Sequence, residues 1–261
     1  MIRIATVPYC NAWPLTHFLS EEMEDATLTP CIPSAMRNLF QTEQCDLAMM
    51  PVAEMLTLPH ATIVSDCAIA CFAQVQSVRI LSRVPIERIE TISLDTASRS
   101  SVTVAEILFR HFYRFSPQKF DLNPTKPLHE TETDAFLVIG DRALAYRPSE
   151  RFGFDYDVGE LWLTQTGLPL VFAAWIAISD AVIQRPNLVS ALERARNRGV
   201  RAITQILNDK EKAGVPFPMP REDMVKYLSQ RIVYQLDDAA RRSMKLFFDL
   251  AKKYGLPATN D

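Results

Sequence analysis

Residues 2–20 read I-R-I-A-T-V-P-Y-C-N-A-W-P-L-T-H-F-L-S. Ile2–Val7 is rich in β-branched residues and predicts a short buried strand. Pro14 suits the first position of a helix, where a missing N–H is no loss, so the strand turns almost at once into a helix. Asn11 falls in that turn, an amide among aromatic and apolar neighbours. The same unit then repeats. Leu28–Ile32 predicts a second strand, A-M-R-N-L-F-Q-T-E-Q a helix, C-D-L-A-M-M-P-V a third strand and A-E-M-L a helical turn. Strand, helix, strand, helix, strand is the order of a parallel α/β sheet.

Further along, Ala68–Arg83 is β-rich and Thr91–Leu94 predicts another strand. A helix is expected from near Ser98, a buried strand over Ala135–Leu144 feeding a helix, and a strong strand over Leu170–Ser179. After Ser179 the pattern is almost wholly helical and closes on an amphipathic stretch, Asp237–Tyr254. This layout predicts an α/β chain of two lobes. Residues 1–92 plus 174–261 would form the first, and 93–173 an inserted second. Two crossings between lobes leave a cleft, a preferred ligand site.

The chain has 261 residues, 48% hydrophobic and 23% charged, with net charge −3 and pI about 5.9. That balance fits a globular protein and gives no basic excess for nucleic acid. No run is long and apolar enough to span a bilayer, and the start lacks the pattern of a secretory signal. The five cysteines, Cys10, Cys31, Cys45, Cys67 and Cys71, read as reduced thiols of a cytoplasmic protein. Cys67 and Cys71 have no second pair at zinc spacing, so no metal site is expected.

Dinucleotide, P-loop, zinc-protease and serine-hydrolase signatures are all missing from the sequence. The four histidines, His17, His60, His111 and His129, are scattered. What remains is a set of small polar residues at the C-terminal ends of predicted strands: Asn11, the Ser98–Ser101 run S-R-S-S, and the I-G-D of Ile139–Asp141. Ligands of open α/β sheets sit at that edge, and helix N-termini favour anions. Each residue also has an ordinary role. Ser98 or Ser101 is natural as a helix cap, Asp141 as a first-turn acid, Arg99 as a surface charge and Asn11 as a turn former. Ser77 lies in a strand whose alternation leaves its face open. Their joint placement points to a cleft for an anion.

Several blocks, in order, resemble the chorismate dehydratase family of the futalosine route to menaquinone. Y-C-N-A-W-P-L is similar to its N-x-x-P-L element. C-D-L-A-M-M-P-V-A-E-M-L is similar to its acidic segment. V-Q-S-V-R-I-L-S, S-R-S-S-V and V-I-G-D-R-A-L match three further blocks. The longest is D-V-G-E-L-W-L-T-Q-T-G-L-P-L-V-F-A-A-W, Asp157–Trp175. The sequence departs at S-R-S-S for S-R-T-S, at G-L-P-L for G-L-P-F, and at Q-V-Q-S, where a glycine often precedes the valine. The related enzyme acting on a cyclic futalosine derivative usually begins S-P-C-P-N-D, which this chain lacks. A non-enzymatic anion-binding protein of the same fold is the other alternative.

The resemblance implies the two-lobed fold of type II periplasmic binding proteins, chorismate as the small-molecule substrate, and no cofactor. It implies Asn11 and Ser77 as the catalytic pair, with Ser98, Arg99, Ser100 and Ser101 binding carboxylate. No His or Lys lies in the matched motifs, so the substrate's enolpyruvyl carboxylate is the expected base. Asp141, Glu54 and Glu160 are expected to be structural.

Overall fold

The computed structural model describes residues 1–123, 127–147 and 152–256. Its strands are β1 (Ile2–Thr6), β2 (Ala26–Pro30), β3 (Leu47–Pro51), β4 (Thr62–Cys71), β5 (Val78–Ser82), β6 (Thr91–Leu94), β7 (Gln118–Asp121), β8 (Ala135–Ile139), β9 (Phe154–Asp157), β10 (Leu170–Ala177) and β11 (Val233–Gln235). They form two sheets, one of six strands in the order β11-β4-β10-β3-β1-β2 and one of five in the order β7-β6-β8-β5-β9. With their helices the sheets make two α/β lobes.

The opening stretch folds as its residues dictate. β1 pairs in parallel with both β2 and β3, so Ile2, Ile4 and Ala5 are buried and Arg3 alone is exposed. Arg3 binds Asp46 at the start of β3, with Nη2 2.6 Å from Oδ1. The first sheet is not all parallel, however: β10 runs antiparallel to both β3 and β4. Covered on both sides, L-V-F-A-A-W-I-A is buried along its whole length, which explains its unbroken apolar run.

Both expected lobe boundaries fall inside strands. β5 and β6 belong to the second sheet, where β5 pairs antiparallel with β8 and β9, so the chain crosses over between Cys71 and Val78 rather than at residue 92. It returns before β10, which lies wholly in the first sheet, rather than at residue 173. Alternation in Val78–Ser82 marks a strand but carries no information on which sheet accepts it. Strands β7 and β9 were not expected either. Their sequences, Q-K-F-D and F-D-Y-D, are polar and exposed or half-buried at the two edges of the second sheet.

The tail is helical apart from β11, which adds to the edge of the first sheet beside β4. The last helix, Asp238–Lys253, is capped by Asp237, whose side chain accepts from Ala240 N at 2.7 Å. It buries Ser243, Met244, Phe247, Leu250 and Ala251, and Phe248 is only partly covered. Ser243 Oγ accepts a hydrogen bond from Trp162 Nε1 at 2.9 Å, which ties this helix to the helix Val158–Thr166. Among the described residues, no helix is long and apolar enough to cross a membrane.

Candidate active site

A cleft of about 470 Å³, counted out to its mouth, lies between the lobes. It is reached from the C-terminal ends of β1, β6 and β8, the edge at which α/β sheets bind ligands. Asn11, Ser77, Ser98 and Ser101 all line it. Asn11 sits in the single turn Cys10–Ala12 between β1 and the helix Trp13–Thr16. Its Oδ1 is buried and has no hydrogen-bond partner. A buried acceptor left open costs on the order of 1–3 kcal/mol, which a bound donor would recover.

Ser77 stands where the chain crosses from the first sheet to the second, and only 1% of it is exposed. Its N–H donates to Val75 O at 2.7 Å, and its carbonyl accepts from Gly140 N at 2.7 Å. Gly140 has φ +62°, and a Cβ there would lie 2.9 Å from the Tyr9 ring. Glycine is therefore required by both backbone and neighbour. The close approach lays Tyr9 against the second lobe as one wall of the cleft. Burial pushes the Tyr9 phenol up to about 12, helped by Asp95 and Asp141.

The S-R-S-S run divides in two. Ser98 caps the helix Arg99–Ile107, accepting from Ser101 N at 3.5 Å and from Ser101 Oγ at 3.2 Å. Ser98 and Ser101 thus face the cleft at the positive end of a helix dipole. Ser100 and Arg99 do not line it. Ser100 Oγ accepts from Ala53 N at 3.0 Å, and Arg99 Nε lies 3.1 Å from Glu54 Oε1. Both contacts join the second-lobe helix to the segment Val52–Leu56 of the first lobe. The expectation that all four bind carboxylate is corrected accordingly. On successive helical residues, side chains about 100° apart cannot share one face.

The other acids hold structure. Asp141 Oδ1 accepts from Cys10 N at 3.2 Å, bridging the lobes beside Asn11. Burial raises its carboxyl, opposed by its hydrogen bonds to Cys10. Burial likewise raises Glu54, with Arg99 and Arg37 pulling it down. Glu160 accepts from Gln74 Nε2 at 3.0 Å. His17 pairs with Asp209 and His111 with the Tyr254 hydroxyl, both away from the cleft.

Three residues of this region escaped the sequence reading. Tyr9 and Phe172 supply aromatic walls, and both lie inside quoted blocks, so the blocks signalled them without saying why. Tyr227 comes from the helical tail. It is fully buried, opens the π-helical turn Tyr227–Arg231, and its hydroxyl has no hydrogen-bond partner. Burial pushes its phenol well above the ordinary range. Cys10, Tyr234 and Asp141 add to this, and the Ser77 side chain opposes it. π-turns recur at functional sites, but none is readable from this sequence.

Two lobes of mixed α/β sheet around a small polar cleft define a periplasmic-binding-protein-like fold. Solved structures agree. A protein from Archaeoglobus fulgidus superposes with TM-score 0.74 at 15% identity, covering 98% of each chain. A Candida albicans protein with the generic periplasmic binding protein fold gives 0.65 at 14%, covering 100% of this chain and 92% of that one. The periplasmic aliphatic sulphonate binding protein of Escherichia coli gives 0.58 at 12%, covering 99% and 94%. Within that fold, the profile of a menaquinone biosynthesis family matches residues 2–253, and the chain belongs to that family. It is also similar to chorismate dehydratase of Thermus thermophilus, 25% identical over 275 residues, covering 95% of this chain and 93% of that protein.

Proposed function

We propose that this protein is a chorismate dehydratase, removing water from chorismate to give 3-[(1-carboxyvinyl)oxy]benzoate. The C4–O and C3–H bonds break, a C3=C4 double bond forms, and the ring becomes aromatic. Aromatisation supplies the driving force, so the protein has to orient the dianion, exclude water and help the hydroxyl leave. The reading rests on family membership and on the Thermus thermophilus relative. The observation that carries it into the site is the buried, unpartnered Asn11 Oδ1 in the same cleft as Ser77.

In this reading Asn11 and Ser77 hydrogen-bond the reacting C4 hydroxyl. Neither is a strong base at neutral pH, and no His or Lys lines the cleft among the described residues. The proton from C3 goes to the substrate's own enolpyruvyl carboxylate. Ser98, Ser101 and the helix N-terminus behind them hold the ring carboxylate. Arg99 contributes its charge from behind that turn, while its pairing with Glu54, like the Ser100 bond, holds the lobes together. The five free cysteines support action in the cytoplasm, where thiols stay reduced.

The test is incubation of the purified, chelator-treated protein with chorismate, followed by absorbance and product mass. A benzoate one water lighter than chorismate is expected. Asn11→Ala and Ser77→Ala should each lower kcat by about 10²–10³. Binding of chorismate without turnover would replace the proposal with a non-enzymatic anion-binding protein. Full turnover by both variants would remove the assigned pair.

A further inference from the structure

Asp157 opens the longest motif of the sequence, yet the dehydration described above does not use it. It ends β9 and caps the helix Val158–Thr166, where its Oδ1 accepts from Gly159 N at 2.9 Å and Glu160 N at 3.2 Å. A cap needs no more than that. The same carboxylate also reaches the segment that crosses between the sheets. Oδ1 accepts from Val75 N at 3.0 Å and Oδ2 from Gln76 N at 2.6 Å.

Those two residues form the turn that delivers Ser77. Gln76 has φ +62°, a region that costs a residue with a side chain about 1–3 kcal/mol. With Ser77 N donating to Val75 O at 2.7 Å, Val75–Ser77 is a three-residue γ-turn of the strained hand. Such a turn persists only when its surroundings hold it. Gly159 completes the fit. A Cβ there would lie 2.3 Å from Ala73 O and 2.4 Å from Cys71 Sγ, so only glycine lets the capped helix end close on the crossing segment.

We propose that Asp157 is a positioning residue for Ser77: its carboxylate clamps the strained Val75–Ser77 turn and so fixes where the Ser77 hydroxyl meets the substrate. The inference rests on the reading that Ser77 takes part in the dehydration. Substrate carboxylate is held elsewhere, at Ser98 and Ser101. Loosening the clamp therefore changes the chemical step and leaves binding alone.

Asp157→Asn tests this with almost no change of shape. It keeps Oδ1 for the cap and for Val75, and places an NH₂ against the Gln76 N–H. The expected result is a kcat lower by about 10- to 100-fold, the scale of a 1 Å misplacement, with KM within about twofold. Gln76→Gly removes the positive-φ strain, so adding it to Asp157→Asn should restore kcat by about fivefold or more. If Asp157→Asn does not fold, Asp157→Ser, which keeps a cap oxygen but cannot span to Gln76, takes its place with the same expectations. A residue acting only as a cap would lower the thermal midpoint, leave kcat of the folded protein unchanged and show no rescue. Either unchanged kcat or absent rescue overturns the proposal. Ser77→Ala run in parallel separates the two levels. Full turnover there overturns the Ser77 reading and this inference with it. An inactive Ser77→Ala beside a fully active Asp157→Asn overturns the positioning role alone.

Discussion

Gly199 lies in the helix Leu188–Arg201, which packs on the helix Trp13–Thr16. A Cβ at residue 199 would sit 1.9 Å from Pro14 O, 2.6 Å from Pro14 C and 2.8 Å from Pro14 Cα. Two physical effects then oppose each other in Gly199→Ala. Alanine is the better helix former by about 1 kcal/mol. Against that, every atom it meets is backbone, which has no rotamer to swing away. Ordinary contact begins near 3.4 Å, so the helices must part by about 1.5 Å, and a gap of even 0.5–1 Å forfeits a quarter to a half of the dispersion well of each contact. Overpacking of this kind costs about 3 kcal/mol, the upper end of its usual range. The net expectation is destabilisation by about 2 kcal/mol. For a chain of this length that lowers Tm by roughly 4–8 °C. Because Pro14 follows the Asn11 turn by three residues, turnover of chorismate should fall as well. The assay is urea unfolding followed by tryptophan fluorescence, with a thermal scan and kcat on the same samples. Gly153→Ala is the control: a Cβ there meets nothing within 4 Å, and stability should stay within about 0.5 kcal/mol. A Gly199→Ala protein as stable as the parent, or more so, would show that propensity outweighs the contact and refute the reasoning.

Ser243→Ala strands Trp162 Nε1, 0% exposed, without its acceptor; a loss of about 1–3 kcal/mol in urea unfolding is expected, and no loss would show that the bond is dispensable. Arg99→Met leaves Glu54, 1% exposed, without its nearest cation; the expected cost is about 2 kcal/mol at neutral pH, discounted because Arg99 itself is one-third exposed. Burial already raises Glu54 above 4.5, and losing Arg99 raises it further, so the folded state holds the proton more tightly than the unfolded one. Stability of this variant should therefore fall as pH rises from 4.5 through the raised value and recover in acid; an equal loss at pH 5 and pH 7.5 would contradict this. Burial pushes the thiols of Cys45 to about 11 and Cys67 to about 12, and those of Cys10 and Cys71 well above their ordinary range. Iodoacetamide at pH 7.5 should accordingly label Cys31 alone in the folded protein and all five cysteines in urea, as read by mass, and labelling of folded Cys10 would show that the Asn11 turn opens.

The residues by themselves determined the local units of this protein. Period and caps placed β1, β3, β8, β10 and the last helix, because a buried strand or an amphipathic helix writes its environment into its own side chains. The polar residues at strand ends marked the functional edge for the same local reason, and ordered motif blocks named the family. Tertiary structure alone decided which sheet receives β5, since pairing is chosen by β8 and β9 far along the chain. It alone divided S-R-S-S, sending Ser98 and Ser101 to the cleft and Arg99 and Ser100 to the first lobe. It brought Tyr227 from the helical tail to the back of Ser77, and it set Asp157 against a strained turn some eighty residues earlier. None of these has a local signature. A carboxylate that caps its own helix looks the same in sequence whether or not it also holds a distant backbone, because the second set of donors is supplied only by the fold.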